Sequence, residues 1–319
     1  MKICIFHRRM APALAAEIGA SLATDESIDV VTDVQRDPPN VEDIEVLIAN
    51  TLPAGLLARC KKLRWLQLTG TGYDHILGES PPRGLVVTNA GDIPARAVAE
   101  FAWMGILSLA KEGPALVRQQ DARIWKLPDA RLVAGTTLVI AGLGPIGRAI
   151  ARRAAGFDVR TIGVTRTGSS PGVTDEIYAW NEIARVLPVA DHVVIALPGL
   201  PQTRGLFGAE LVDRLPAQAV LINVSRGSIL DTSVVIRALR ERRLRAALLD
   251  VHEQEPLPVE HPAWTTENLW VTPHGAFCYP GETYDLARLI ADNLRRFRRG
   301  EPLHNRIDPF PSASASAAQ

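Results

Sequence analysis

The chain has 319 residues, and 47% of them are hydrophobic, enough for a buried core in each of two domains of ordinary size. Its 35 basic and 35 acidic residues give zero formal net charge, so no global field attracts nucleic acid or an anionic membrane surface. No apolar stretch approaches the roughly 20 residues that span a bilayer, and three cysteines without metal-ligand spacing favour reduced thiols over a disulfide framework or a metal site. We therefore expect a cytoplasmic protein that acts on a small molecule, without a membrane, nucleic-acid or metal partner.

The first third of the chain alternates short apolar runs with helix-compatible segments, a pattern typical of a parallel β-sheet covered by helices. The expected strands are 2–6, 28–34, 46–49, 65–68 and 85–88. The expected helices are 11–22 and 56–62. A longer amphipathic helix is then predicted over 95–120.

Behind that helix, six further β-branched or leucine-rich runs predict a second sheet, and six strands is the number that a dinucleotide-binding fold needs. They are 137–141, 159–164, 193–197, 219–224, 246–251 and 269–272. A last helix over 282–299 could return to the first domain. The sequence thus predicts an α/β protein with two Rossmann-like, doubly wound parallel-sheet domains and a cleft between them.

The predicted domain boundaries follow from this order of elements. Residues 1–93 plus 275–310 would form the substrate domain, and residues 94–274 the dinucleotide-binding domain. The end of the chain, SASASAAQ, is too poor in large apolar residues to form a core, so 311–319 is expected to be a flexible tail.

A glycine-rich turn follows the first strand of the second series and opens a helix. Gly142, Gly144 and Gly147 have the GxGxxG spacing, which provides a tight turn, close backbone approach to a pyrophosphate, and close packing of helix on strand. The helix N-terminus would offer N–H groups and a positive dipole end to the phosphates. In this strand–turn–helix context the motif predicts a dinucleotide site.

The second strand of this series lacks the terminal acidic residue that commonly binds the ribose hydroxyls of NAD. Thr165 and Arg166 stand there instead, and a cation suits the 2′-phosphate of NADP. The alternative is that Arg166 is simply a solvated arginine at a strand end. We expect NADP to be preferred and NAD to remain possible.

Three further motifs follow expected strands: NVSRG at 223–227, DVHEQEP at 250–256 and TPHG at 272–275. Ligands of open parallel sheets bind beyond the carboxyl ends of strands, so Arg226, Glu255 and His274 can converge on one crevice. Alone, each residue fits a structural role better than a functional one, as a turn arginine, a loop acid or a capped core histidine.

Together these motifs resemble the D-isomer-specific 2-hydroxyacid dehydrogenase family over nearly the whole chain. The resemblance includes TGTGYDHI at 69–76, AVAEFA at 97–102, the glycine-rich turn and ALPGLPQTRGLFG at 196–208. It implies an NAD(P)-dependent oxidoreductase that reversibly reduces a small 2-oxo acid, such as glyoxylate or hydroxypyruvate, to a D-2-hydroxy acid. It also implies a homodimer formed through the 95–120 region.

The resemblance assigns the chemistry to three residues. Arg226 would hold the carboxylate and carbonyl oxygens of the substrate, since a guanidinium can donate two parallel hydrogen bonds. His274 would donate a proton to the carbonyl oxygen as hydride reaches C2. Glu255 would pair with His274 and favour its protonated ring.

The same resemblance assigns binding roles elsewhere. Backbone N–H groups of Thr71 and Gly72 would bind the substrate carboxylate. Asp250 and the backbone at Val224 would address the nicotinamide. The residues expected to flank the cofactor phosphates and ribose are Pro145, Ile146, Pro198 and Thr203.

Departures from the family pattern leave alternatives open. Phe277, Cys278 and Tyr279 stand where the family more often has small residues and a threonine, so they could reshape the pocket mouth. A formate or phosphite dehydrogenase on the same scaffold is one alternative. A nucleotide-sensing binding protein, similar to transcriptional corepressors that resemble this family, is another.

Overall fold

The computed structural model describes residues 1–19, 22, 24–170 and 172–310; the expected tail, 311–319, lies outside them. The chain divides into two compact units. The N-terminal unit contains Met1–Pro94 and the chain from Tyr279 onward, and the central unit contains Ala95–Cys278. None of the described helices is both long enough and apolar enough to cross a membrane.

Strands and helices alternate through most of the described chain. The strands are β1 Lys2–Phe6, β2 Ser27–Val31, β3 Val46–Ala49, β4 Trp65–Leu68, β5 Val86–Thr88, β6 Thr137–Ala141, β7 Arg160–Thr165, β8 Glu176–Ala179, β9 His192–Ile195, β10 Val220–Asn223, β11 Ala246–Leu249, β12 Leu269–Val271 and β13 Arg306–Ile307. The helices are α1 Ala11–Gly19, α2 Leu56–Arg59, α3 Ala95–Ala110, α4 Gly113–Asp121, α5 Pro145–Ala154, α6 Ile183–Val186, α7 Ala209–Val212, α8 Thr232–Arg240 and α9 Glu282–Arg299.

The sheet of the N-terminal unit has the order β13-β5-β4-β3-β1-β2, and only β13 runs antiparallel to its neighbour. Every residue of β3 and β4 is buried, as expected for parallel strands covered on both faces. On one face, α1 and α9 share a core in which Leu14, Trp65 and Ile290 are fully buried. The last helix therefore completes the core of the unit in which the chain began.

The ends of α9 agree with the sequence prediction because its terminal residues are strong signals. Glu282 and Asp285 lie in the first turn, where carboxylates complement the positive end of the helix dipole. Arginines fill the last turn, and Gly300 follows with a φ of 67°, the left-handed conformation that glycine adopts without steric cost.

The sheet of the central unit has the order β12-β11-β10-β9-β6-β7-β8, and all its strands are parallel. Counted from β6, this is the 3-2-1-4-5-6 order of dinucleotide-binding folds with a seventh strand added. The order reverses between β6 and β9, the position at which ligands bind in such sheets. The two parallel α/β sheets confirm the predicted fold class.

One strand of the central unit was not predicted. The sequence indicated six of the seven strands of this sheet and missed β8, which takes the third place of the dinucleotide-binding order. Its four residues, EIYA, are all partly exposed, and it pairs only with β7 at the edge of the sheet. A short edge strand lacks the continuous apolar run by which the buried strands were identified.

The single helix predicted over 95–120 is in fact two helices. Helix α3 ends at Ala110, and helix α4 begins at Gly113. Between them, Glu112 has a φ of 56°, which is incompatible with a continuing α-helix. Pro114, near the start of α4, lacks the N–H that a continuous helix would need there. The apolar side of α3 is buried in the core of its own unit, through residues such as Val98 and Ile106.

Candidate active site

The glycine-rich turn after β6 is closely packed at its two ends and open in the middle. A Cβ on Gly142, whose φ is 101°, would lie 2.5 Å from the carbonyl oxygen of Ala196, and one on Gly147 would lie 1.9 Å from the carbonyl oxygen of Gly142. At Gly144 a Cβ would have nothing within 4 Å. Side chains are therefore excluded where the turn packs, and space is left where a phosphate would approach.

The first turn of α5 can bind that phosphate. Gly144 is the N-cap residue and Pro145, which has no N–H, is the first helical residue. The N–H groups of Ile146 and Gly147 cannot bond within the helix, and they have no acceptor among the residues that the structure describes. Because these groups also lie at the positive end of the helix dipole, the turn fits the pyrophosphate of NAD(P).

The neighbouring strand ends border this turn. The N–H of Gly142 donates to the carbonyl oxygen of Val164, the residue before Thr165 at the end of β7. Beyond it, Arg166 is exposed and forms no ion pair within the described part of the chain. On the other side, after β9, the Thr203 hydroxyl lies 2.6 Å from the carbonyl oxygen of Pro198. The residues predicted to flank the cofactor phosphates and ribose thus follow three adjacent strands.

The NVSRG motif forms a turn after β10 that is held by its own asparagine. The buried Asn223 side chain accepts hydrogen bonds from the N–H and hydroxyl of Ser225, at 3.1 and 2.7 Å, and donates to the carbonyl oxygen of Arg226 at 3.0 Å. The Arg226 guanidinium donates to the Ser225 carbonyl oxygen at 2.8 Å. Val224, at the same strand end, is buried.

Asp250, at the end of β11, shapes the loop that carries His274. Its carboxylate is only 1% exposed and accepts hydrogen bonds from the Thr272 hydroxyl at 2.8 Å and from the N–H groups of Gly275 and Ala276 at 2.9 and 3.0 Å. Its carbonyl oxygen accepts the N–H of His274 at 2.7 Å. These contacts fix the backbone on both sides of His274.

Glu255 and His274 form a direct pair. The Glu255 Oε2 and His274 Nδ1 atoms lie 2.7 Å apart, and Glu255 Oε1 accepts the N–H of His252 at 2.9 Å. His274 has a φ of 53°, a left-handed conformation that is rare for a residue with a side chain and recurs at active sites. With Nδ1 bound to the carboxylate, Nε2 is the ring atom left to exchange a proton with a substrate.

The surroundings of Glu255 favour its charged form. Burial is the largest influence and would raise the pKa, but hydrogen bonds from the His274 ring and the His252 N–H together outweigh it. The pKa of Glu255 is therefore lowered from its ordinary value of 4.5, and the group is a carboxylate at neutral pH. A carboxylate at this distance stabilises a protonated imidazole.

Two further side chains lie next to this pair. The ring of Phe277 meets that of His274 edge to face, with centroids 5.9 Å apart and planes at 84°. His252 is buried beside Glu255, to which its N–H donates. The departure of Phe277 from the family pattern was a sequence signal for its place at the site, whereas the only signal for His252 was its position within the DVHEQEP motif.

Thr71 and Gly72 belong to the N-terminal unit, in the loop after β4. The Thr71 hydroxyl donates to the Gly91 carbonyl oxygen at 2.8 Å, and the Asn89 side chain donates to the Thr71 carbonyl oxygen at 2.7 Å. Across the described ranges, neither the N–H of Thr71 nor that of Gly72 has an acceptor. The loop is held by its other polar groups and presents two backbone donors.

The chain is similar to known proteins over nearly its full length. Residues 103–276 match the NAD-binding domain of D-isomer specific 2-hydroxyacid dehydrogenases. A glyoxylate reductase from Pyrococcus horikoshii is 31% identical over an alignment of 323 positions, gaps included, which covers 94% of each chain.

Solved structures of similar fold point to the same family. A D-isomer specific 2-hydroxyacid dehydrogenase family protein from Aeromonas salmonicida is 31% identical, with a TM-score of 0.86 over 97% of this chain and 99% of that one. A second, from Xanthobacter autotrophicus in complex with NADPH and MES, is 28% identical, with a TM-score of 0.85 over 97% and 98%. The chain therefore belongs to the D-isomer specific 2-hydroxyacid dehydrogenase family, and it is an NAD(P)-dependent oxidoreductase.

Proposed function

We propose that the enzyme reduces glyoxylate, hydroxypyruvate and similar small 2-oxo acids to D-2-hydroxy acids. The observation that carries this proposal is the Glu255–His274 pair at the strand ends of a dinucleotide-binding sheet, 2.7 Å apart, beside the turn that carries Arg226. The similar protein from Pyrococcus horikoshii is named a glyoxylate reductase, which supports the choice of substrate.

In this proposal each residue has one role. NAD(P)H supplies hydride to C2 when bound. His274 donates the Nε2 proton to the carbonyl oxygen, while Glu255 stabilises the protonated ring. Arg226 orients and polarises the carbonyl group with parallel hydrogen bonds, and the backbone donors of Thr71 and Gly72 bind the carboxylate. Asp250 acts by holding the His274 loop, because its carboxylate is buried and already accepts three hydrogen bonds.

We also propose that NADPH is preferred. Thr165 ends β7 where an acid would repel a 2′-phosphate, and the exposed Arg166 can donate charge-assisted hydrogen bonds to that phosphate. The related protein from Xanthobacter autotrophicus was solved with NADPH.

Initial rates test both proposals. Glyoxylate, hydroxypyruvate, formate and phosphite would each be assayed with NADP(H) and NAD(H), in the direction of reduction for the first two and oxidation for the others. We expect turnover of the 2-oxo acids and a higher kcat/KM with NADPH. Oxidation of formate or phosphite alone, or tight cofactor binding without any turnover, would contradict the proposed reaction.

A homodimer is proposed as well, through a surface that begins in α4, within the predicted 95–120 region, and continues to residue 132. The apolar side of α3 is buried within its own unit, whereas the segment from α4 to residue 132 exposes several large apolar side chains. They include Trp125, fully exposed, and Leu116, Val117, Ile124, Leu127 and Leu132. Such a cluster is typical of a protein–protein interface, and we place the contact between two copies there, in a cytoplasmic enzyme.

A further inference from the structure

His252 lies where the three loops that carry the proposed catalytic residues meet. A Cβ on Gly227 would be 1.9 Å from the His252 carbonyl carbon, so the turn of Arg226 packs directly against its backbone. The His252 N–H donates to Glu255 Oε1 at 2.9 Å, and its ring Nε2 lies 3.0 Å from the carbonyl oxygen of Thr272. One residue thus contacts the loops after β10, β11 and β12.

The ring of His252 has one partner and one unmet nitrogen. The residue is 7% exposed, and a carbonyl oxygen can only accept, so Nε2 carries the proton of the bond to Thr272. Nδ1 is buried and has no partner in the described part of the chain. An apolar ring would avoid the cost of that unmet atom, so the Nε2–H bond is what a histidine specifically supplies here.

From these contacts we infer that His252 is a positioning residue for the Glu255–His274 pair, an inference that rests on the proposed function. Its ring hydrogen-bonds to Thr272 and so connects the loop of Glu255 to the loop of His274. Its N–H donates to Oε1 of the Glu255 carboxylate and so fixes the orientation of that group. Glu255 Oε2 is thereby held at His274 Nδ1. Misplacement of a catalytic group by about 1 Å can lower the rate roughly 100-fold, so loss of a hydrogen bond that positions this pair should lower kcat.

The charged groups around His252 are known. Glu253 follows it directly in sequence, and Asp250 lies two residues before it. The Asp250 carboxylate accepts hydrogen bonds from Thr272, Gly275 and Ala276. Glu255 accepts its N–H, and through Glu255 it is linked to His274. Arg226 lies on the turn that packs against it. A change in the pH profile of a His252 variant must therefore be compared with the profile of Glu255→Gln.

The test compares His252→Phe, which keeps an apolar ring without a donor, with His252→Gln, whose side-chain amide can donate from about the position of Nε2. The matched control is His261→Phe, because His261 lies in the same unit and only caps a short 3-10 helix. The kcat and its pH profile would be measured for glyoxylate reduction, with cofactor affinity from tryptophan fluorescence.

We expect His252→Phe to lower kcat about 10- to 100-fold and to move the basic limb of the profile to lower pH, with cofactor affinity unchanged. His252→Gln should recover most of kcat and the original profile, and His261→Phe should match the wild type. An unchanged kcat and profile in His252→Phe, or equal losses in the Phe and Gln variants, would overturn the inference.

A measurement on the unmodified protein decides the case if His252→Phe does not fold. Nitrogen-15 NMR of labelled histidines should show a proton on Nε2 of His252 and not on Nδ1. The opposite tautomer would refute the inference even in an active enzyme. Absence of wild-type turnover on 2-oxo acids would instead refute the proposed function and leave the NMR result to decide the placement of the ring.

Discussion

The Nε2 atom of His274 is the proton donor of the proposed reaction, because its other ring nitrogen is bound to Glu255. Replacing His274 with alanine should lower kcat by about two to four orders of magnitude, the usual contribution of a positioned acid–base group. Cofactor affinity should stay near the wild-type value, since the glycine-rich turn is untouched. His261→Ala is the control, and near-normal turnover in His274→Ala would remove the histidine from this role.

Glu255 is the charged partner of the His274 ring. Hydrogen bonds lower the pKa of Glu255 despite its burial, so the carboxylate is charged throughout the working range and stabilises the protonated imidazole. Glu255→Gln removes that charge, and the basic limb of kcat for reduction should move to lower pH, because the ring loses its carboxylate partner.

The control for Glu255→Gln is Glu253→Gln, two residues away with a side chain 78% exposed. Its kcat profile between pH 5 and 9 should overlay that of the wild type. If the profile of Glu255→Gln also overlays it, the carboxylate does not support the protonated ring.

Arg166 is the residue on which the proposed preference for NADPH depends. A charge-assisted hydrogen bond contributes about 1.5 to 3 kcal/mol, so Arg166→Ala should weaken NADPH binding about 10- to 150-fold and leave NADH nearly unchanged. Arg185→Ala, at another exposed arginine of this unit, serves as the control. An equal effect on both cofactors would contradict a contact with the 2′-phosphate.

At the scale of elements, the sequence was most reliable where burial leaves a continuous or periodic apolar pattern. The buried strands β3, β6 and β10 and the helix α9 lie close to their predicted positions. The edge strand β8 was missed because its residues are only half-buried. The break at Glu112 was missed because apolar spacing continues across it, while a single left-handed residue redirects the chain.

The grouping of the three motifs was predictable for a related reason: parallel neighbouring strands end at one edge of the sheet. That rule indicated that Arg226, Glu255 and His274 would lie close together, but it could not give the contacts that hold them. The hydrogen bonds of Asp250 and His252 depend on loop conformations that the sequence pattern does not specify. Likewise, only the structure shows that a side chain at position 227 would clash with the His252 backbone.

The exposed segment after α4 predicts the quaternary structure. Trp125→Asp combined with Leu127→Glu places two charges among side chains that a partner would bury, so it should convert a dimer into a monomer. Light scattering at micromolar concentration checks this. Val259→Glu, at a residue 92% exposed elsewhere in the central unit, should leave the dimer intact. A monomeric wild-type protein would contradict the assignment.

At the scale of the whole molecule, stability should fall on acidification from pH 6.5. Burial, opposed by Asp191 and aided by Arg245, lowers the pKa of His192 from 6.5 to about 4, and both of its ring nitrogens are buried without a partner in the described chain. Burial and Arg9 also lower the pKa of His7 to about 4. Between pH 6.5 and about 4, these histidines bind protons in the unfolded chain but not in the folded chain, so acidification favours unfolding.

The expected loss for His192 alone is about 2 kcal/mol between pH 7 and 4.5. Urea unfolding at the two pH values, followed by tryptophan fluorescence, measures it. His192→Leu should flatten the pH dependence by about that amount, because no titrating ring remains in the core. His261→Leu is the control, and an unchanged slope in His192→Leu would show that the ring does not titrate on unfolding.

The division of the chain has a consequence for its synthesis. The N-terminal unit receives Leu286, Ile290 and Leu294 of its core from α9, which the ribosome makes only after the entire central unit. The central unit, continuous from Ala95 to Cys278, can complete its core first, while the earlier segment still exposes the face that α9 will cover. We therefore expect the central unit to fold before the N-terminal unit during translation, the reverse of the usual order. A nascent chain released before α9 should expose an apolar surface that a chaperone can bind.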